Sequence, residues 1–460
     1  MAEINKDGTR RELTNLNVQM IALGGSIGTG LFLGSGSTIH RTGPSILFVY
    51  IIVGAFFFML RAIGEMMYSD PEQHTFVSFI YHQLGPSLGR FAEWSYWLEL
   101  TLAAMAELIA IATYVRLWLP SVPSWLVQVV VLAALTLINL NVVKFFGNSE
   151  TILSGIKVIA IIFLIAAGIF MIATHHENPS GTHASFGNVF NGFRMFPNGF
   201  HEFLNAFPMV FFAFQGMEFV GITTAETKNP RKVLPKAINQ VIARILLFYA
   251  GALFVIMAIT PWQSISQNGS PFVQIFSLAG IPAAASVINF VVIVAACSTL
   301  NSAIFSTGRH LYQLACESHS SRLKFLTRVS EKQGIPVNSV LFSAAVMLFA
   351  PVLSCFRALS TAFSFVASVS CDIYILVCIL TMIAHYRYRN SDAFLEDGFK
   401  LPAYKCTNPA TIVFFILIFL SLFLNSDSFA PALGALLWFV VFRTAQKLGG
   451  NGEKGIEISR

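Results

Sequence analysis

Continuous apolar runs of roughly 20 residues, the length a helix needs to cross a bilayer, recur along this whole sequence and constrain its fold more than any other feature. They fall at about 16–38, 45–67, 88–118, 124–146, 151–173, 200–225, 238–260, 284–313, 338–355, 360–385, 409–425 and 428–446, separated by clusters of Gly, Pro and charge. Lipid offers no water to backbone N–H and C=O groups, so only helices or closed barrels can span it. Unbroken rather than alternating apolarity excludes a barrel. The expected fold is therefore an all-α integral membrane protein with about twelve transmembrane helices. Charge agrees, since 11% of the 460 residues are charged, against about 25% in a soluble domain.

Smaller features exclude other classes. Cys297, Cys316, Cys355, Cys371, Cys378 and Cys406 form no CxxC pair and mostly sit within apolar runs, so they read as core residues. The polar start MAEINKDGTRRELTNLN is not a signal peptide. The His-containing loop near 174–199 is rich in Gly, Ser and Asn and reads as a solvated loop, so no metal or other cofactor is expected. The net charge of +6 scatters through loops and is topological, with no nucleic-acid partner implied. Basic residues gather on one side: Lys6, Arg10, Arg11, Lys228, Arg231, Lys232, Lys236, Arg322, Lys324, Arg328, Lys332, Arg387, Arg389, Lys400 and Lys405. The other side receives Arg41, Arg116, Arg194 and Arg357. The positive-inside rule then places both termini in the cytoplasm of a plasma-membrane protein. The chain divides into an N-terminal tail (1–15), a ten-helix core (16–385), a cytoplasmic loop (386–408), two further spans (409–446) and a tail (447–460).

Two spans carry features a plain membrane helix would avoid. The first contains Gly24, Gly25, Gly28, Gly30, Gly34 and Gly36, and each Gly costs a helix about 1 kcal/mol relative to Ala. Close helix packing would need glycine on one face only. Glycine lies all round this span, so it should unwind. The sixth span carries Gln215, Gly216 and Glu218 in the middle of an apolar run. Spans one and six hold corresponding places in two five-helix halves, the pattern of inverted-repeat transporters whose site lies at the bilayer midplane. Freed amides would hold a carboxylate and freed carbonyls an ammonium, which suits an amino acid.

At these residues the chain resembles the amino acid permeases of the amino acid–polyamine–organocation superfamily, in its bacterial amino acid transporter branch. The resemblance rests on IALGGSIGTGLFLGSG (21–36), WSYW and MAEL (94–108), GIKVIAI (155–161), FQGMEFVGITTAETKNPRKVLPKAI (214–238), SPFV (270–273) and STLNSAIFSTGRHLY (298–312). It implies a five-plus-five inverted-repeat (LeuT-like) fold with broken helices 1 and 6 and two extra helices. It also implies a substrate held between spans one, three, six, eight and ten, and coupling to protons. One departure is Asp70-Pro71-Glu72-Gln73-His74, where the family's second loop is commonly richer in Gly and Ser.

Ionisable residues at bilayer depth cost at least about 2.5 kcal/mol each and are functional candidates. The resemblance puts Lys157 in the place of a coupling cation beside the broken first span. Burial penalises the charged form of an amine, which suits a group that loads and releases a proton. Glu107 and Glu218 are read either as structural acids or as part of the proton path, and Glu99 is left open. Asp372, in mid-span ten, is read either as a salt-bridge partner or as a determinant of selectivity or coupling. Arg61, Glu65 and Arg244 are read as structural or gating pairs. Backbone at Ser26, Ile27, Gly28, Thr29 and Gly30 is expected to hold the substrate carboxylate and part of its ammonium shell. Carbonyls around Phe212, Ala213, Phe214 and Gln215 would complete the ammonium site, with Phe212 as the family's aromatic outer gate. The side-chain pocket is assigned to Ala104 or Met105, Gln215, Met217, Ser298, Asn301 and Ser302. No fixed charge dominates that set, so a neutral amino acid imported with protons is expected. The alternatives are an exchanger, or a cationic amino acid importer if Asp372 reaches the pocket. Without an HExxH motif or a Ser/His pairing in the spans, no enzymatic activity is expected. Which amino acid is carried and the oligomeric state are not fixed by these features.

Overall fold

A computed structural model describes residues 3–4, 10–141, 143–178, 181–267, 269–278, 282–318, 321–331, 333–356, 359–424 and 426–449. Lys6, Lys332, Arg357 and residues 450–460 lie outside the described residues. Apart from a two-stranded pairing of Glu3–Ile4 with Arg10–Arg11, the described elements are helical. Nine of the described helices are long and apolar enough to cross a membrane, and Ser124–Asn139 and Ser428–Thr444 are shorter apolar helices. The first span escapes such a length test because it is interrupted: Asn15–Ser26, then Thr29–Phe32, then Gly34–Thr42.

The remaining spans follow in order. The second runs as Ile46–Phe56 and Leu60–Ser69, the third is Pro86–Val115, the fourth Ser124–Asn139 and the fifth Val143–Ala173. The sixth is again divided, into Phe207–Phe214 and Phe219–Ile222. The seventh is Pro230–Ile259, the eighth Pro282–Glu317, the ninth Val337–Met347 with Phe349–Phe356 and the tenth Leu359–Tyr388. Tyr404–Ser421 and Ser426–Gly449 complete the chain. The fifth span therefore begins about two turns earlier than its apolar run suggests, which carries Glu150 inside the bundle.

Packing follows a rule of adding five. Span one packs on span five, and span six on span ten. Span three packs on ten, and eight on five; three packs on four, and eight on nine; one packs on seven, and six on two. Each pair maps onto the next when every number is advanced by five. Because a half contains an odd number of spans, the second half enters the membrane from the face opposite the first, so the repeat is inverted. Spans one and six thus meet in opposite directions at the centre, with three, eight and ten around them.

The face where span one begins is tied together by polar contacts. Thr14 caps the first helix in a reciprocal box with Asn17. The backbone N–H groups of Glu12 and Leu13 both donate to the Glu226 carbonyl at 3.0 Å, and Lys228 N–H donates to Leu13 O at 2.9 Å. Glu226 itself is buried against Arg309 at 3.1 Å, and the guanidinium lies 3.7 Å from the Phe305 ring centroid. Nearby, Glu65 accepts from His385 Nε2 at 3.1 Å and Leu401 N–H at 2.7 Å, and lies 2.7 Å from Arg389 Nε. Arg61 does not pair with Glu65; it donates to Lys400 O and Asn239. Arg244 donates to Gln19.

Candidate site at the broken spans

The first helix stops because Ile27 leaves helical geometry (φ −78°, ψ 80°) and Gly28 extends (φ −129°, ψ −155°), before Thr29 starts a new turn. Span six stops at Gln215 (φ −58°, ψ 147°), followed by Gly216 at φ +93°, a left-handed conformation that favours glycine. The two breaks lie back to back. A Cβ on Gly216 would sit 2.5 Å from Gly25 C and 2.9 Å from Ser26 N, and one on Gly30 would sit 2.6 Å from Ala213 Cα. Glycine here permits backbone-to-backbone contact between the spans.

Breaking a helix frees polar groups that must find partners. Lys157 takes two of the carbonyls at the break in span one, Gly24 O and Ile27 O. Its buried Nζ donates to Gly24 O at 2.5 Å, Ile27 O at 2.9 Å, Ala295 O at 3.2 Å and Thr299 Oγ1 at 3.3 Å. Tyr249 joins the breaks, its hydroxyl lying 2.7 Å from both Ser26 O and Ala213 O. Glu107 Oε1 caps the second half of span one, accepting from Thr29 N at 3.2 Å and Thr29 Oγ1 at 2.9 Å. Glu218 does the same for span six, accepting from Gly216 N at 2.9 Å and Tyr96 OH at 3.2 Å.

Behind the first break lies a second buried cluster. Glu150 accepts from Ser154 Oγ at 2.9 Å, from Asn301 Nδ2 at 2.9 Å and from Ser298 Oγ. Asn139 Nδ2 holds Asn301 Oδ1 at 2.9 Å. Sequence reasoning passed over Glu150 because it fell just outside the apolar run 151–173. It passed over Tyr249 because a tyrosine in a membrane span carries no signal of its partners.

A small cavity opens between the breaks. Gly25, Ser26, Gly28 and Gly30 line one wall, and Phe212, Gln215, Gly216 and Glu218 the other. Span three contributes Glu99, Leu100, Ala103 and Glu107, and span eight Thr299 and Ala303. Leu100 aside, these fall at intervals of four residues, and Leu100 to Ala103 is three, so each span presents one helix face. Ala104, Met105, Ser298, Asn301 and Ser302 are buried on neighbouring faces and do not line the cavity; Ser298 and Asn301 serve Glu150 instead. Ile27, Thr29, Ala213, Phe214 and Met217 are buried around it without lining it. Phe212 lines it and meets Phe363 of span ten edge-on, with ring centroids 6.2 Å apart. Asp372 is buried outside the lining, and neither carboxylate oxygen has a hydrogen-bond partner among the described residues. Within the cavity, Glu99 Oε2, Glu107 Oε2 and both polar atoms of Gln215 are buried with no hydrogen-bond partner among the described residues.

Amide, carbonyl and carboxyl groups thus gather around a cavity between a broken pair of helices. The amino acid permease family model matches residues 17–448. This chain belongs to the amino acid permease family. The permease is 48% identical over 440 residues to the DL-alanine permease SerP2 of Lactococcus lactis subsp. cremoris, covering 95% of each chain. It is 45% identical over 451 residues to the serine permease SerP1 of the same organism, covering 96% of this chain and 98% of the relative. It is 40% identical over 435 residues to the D-serine/D-alanine/glycine transporter of Escherichia coli K12, covering 94% and 92%. The permease is thus a multi-pass membrane transporter of amino acids and not an enzyme.

Proposed function

We propose that this permease imports a small neutral amino acid across the plasma membrane by proton symport and alternating access. The observation that carries the coupling is Lys157, whose amine sits in a nest of span-one and span-eight oxygens where a bound cation would otherwise be needed. Loss of a proton from that amine removes its positive charge and one of its three N–H donors, so its hold on Gly24 O and Ile27 O weakens. The break in span one therefore loosens as the proton leaves. A zwitterion contacts the same backbone from the cavity side, so substrate and proton act on one element.

The cavity holds an acceptor for an ammonium in the second Glu107 oxygen, and the substrate carboxylate is assigned to the broken backbone at Ser26, Gly28 and Gly30 on its wall. The relatives' names (alanine, serine, glycine) support a small substrate. Orientation with both termini inside follows from the excess of Lys and Arg on the N-terminal face. The same reading keeps residues 16–385 as the transport core and 409–446 as two accessory spans.

Purified full-length protein in proteoliposomes tests this. An inward proton gradient should drive net uptake of radiolabelled alanine or serine, and Lys157→Ala should abolish the driven component while leaving counterflow. Uptake indifferent to the gradient would favour an exchanger.

A further inference from the structure

We infer that Glu99 is the specificity-determining residue of the cavity, and that with Gln215 it selects a small amino acid bearing a side-chain hydroxyl. This rests on the amino acid reading of the same cavity and names its preferred substrate class. Glu99, Ala103 and Glu107 lie at i, i+4 and i+8 on one face of span three, which puts the two acids about 12 Å apart along the helix. Glu107 is at the level of the broken first span, where it caps Thr29. Glu99 belongs to the other end, beyond the reach of the substrate's α-carboxylate and ammonium.

The acids at that end are not equivalent. Both oxygens of Glu218 are engaged, by Gly216 N–H and Tyr96 OH. Glu99 has one oxygen 3.5 Å from Ser370 Oγ, while Oε2 has no partner among the described residues although the residue is only 1% exposed. Gln215, across the cavity, has an unpartnered amide donor and an unpartnered carbonyl acceptor. A hydroxyl donates once and accepts, so it satisfies a carboxylate and an amide together. A methyl satisfies neither. An ammonium satisfies Glu99 and leaves the Gln215 N–H without an acceptor. A buried polar group left unpaired by the wrong substrate is the strongest source of discrimination available to a small site.

Full-length protein in proteoliposomes, given radiolabelled L-serine and L-alanine separately, yields the ratio of their uptake efficiencies. Glu99→Ala is expected to lower the serine-to-alanine ratio at least about tenfold, while Glu99→Gln, which keeps an acceptor, should hold it within about threefold. Should Glu99→Ala fail to reach the membrane, Glu99→Met keeps the reach without the acceptor and should behave as Ala. An unchanged ratio in Ala or Met overturns the inference and leaves the transport reading standing. Equal losses in Gln and Ala overturn the hydroxyl assignment in favour of charge. If the unaltered protein takes up neither amino acid, it is the transport reading that fails.

Discussion

Tyr249 shows how much of this site depends on single hydroxyls. One phenol lies 2.7 Å from a carbonyl in each broken span, so it holds two unwound segments in register. Tyr249→Phe keeps the ring against Phe214 and Tyr50 and removes the single O–H that the Ser26 and Ala213 carbonyls share. The cost should be about 1–3 kcal/mol. Thermal unfolding in detergent should show lower stability, and substrate KM should rise. Wild-type KM and stability in Tyr249→Phe would mean that the contact does no such holding. The residue scale is also where the sequence is least legible. Lys157 stands out in an apolar run because charge there is costly, whereas the partners of Ser298 and Asn301 depend on helix rotation, which no local pattern encodes. A shift of one residue separates Ala104 from the cavity-lining Ala103.

At the scale of the element, the two breaks were the most legible part of the fold. Their cause is local: glycine density in span one, and a glutamine, a glycine and an acid amid apolar residues in span six. What composition could not reveal is that Gly216 and Gly25 touch through their backbones. Gly216→Ala meets both a φ of +93° and the Gly25–Ser26 backbone, for which strain of about 1–3 kcal/mol is the minimum. Uptake should fall more than tenfold with helical content by circular dichroism unchanged. Gly155 offers the contrast, since a Cβ there meets nothing within 4 Å in the middle of span five. Gly155→Ala should retain transport and gain up to about 1 kcal/mol of helix stability. Equal damage from both substitutions would show that general helix perturbation, not the contact between the breaks, governs transport.

On the proposed alternating-access cycle the cavity opens to one face at a time, and the N-terminal face is tied together by the Glu226–Arg309 pair and the strap formed by Glu12 and Leu13. Both ion-pair partners are buried, so removing one leaves a charge with no counter-ion, at a cost of about 3–5 kcal/mol. Opening that face restores water to the stranded charge. Glu226→Gln should therefore shift the population toward the state open on that side. A cysteine at Ala303, on the cavity wall, reports the shift in a background lacking the native cysteines. Labelling by an impermeant thiol reagent applied from that face should accelerate at least about threefold in Glu226→Gln. Replacing both partners, Glu226→Leu with Arg309→Leu, removes the stranded charge and should label more slowly than either single leucine variant, because an apolar pair can close again. If the double variant labels as fast as the singles, the gate is closed by the backbone strap, and the ion pair follows the strap.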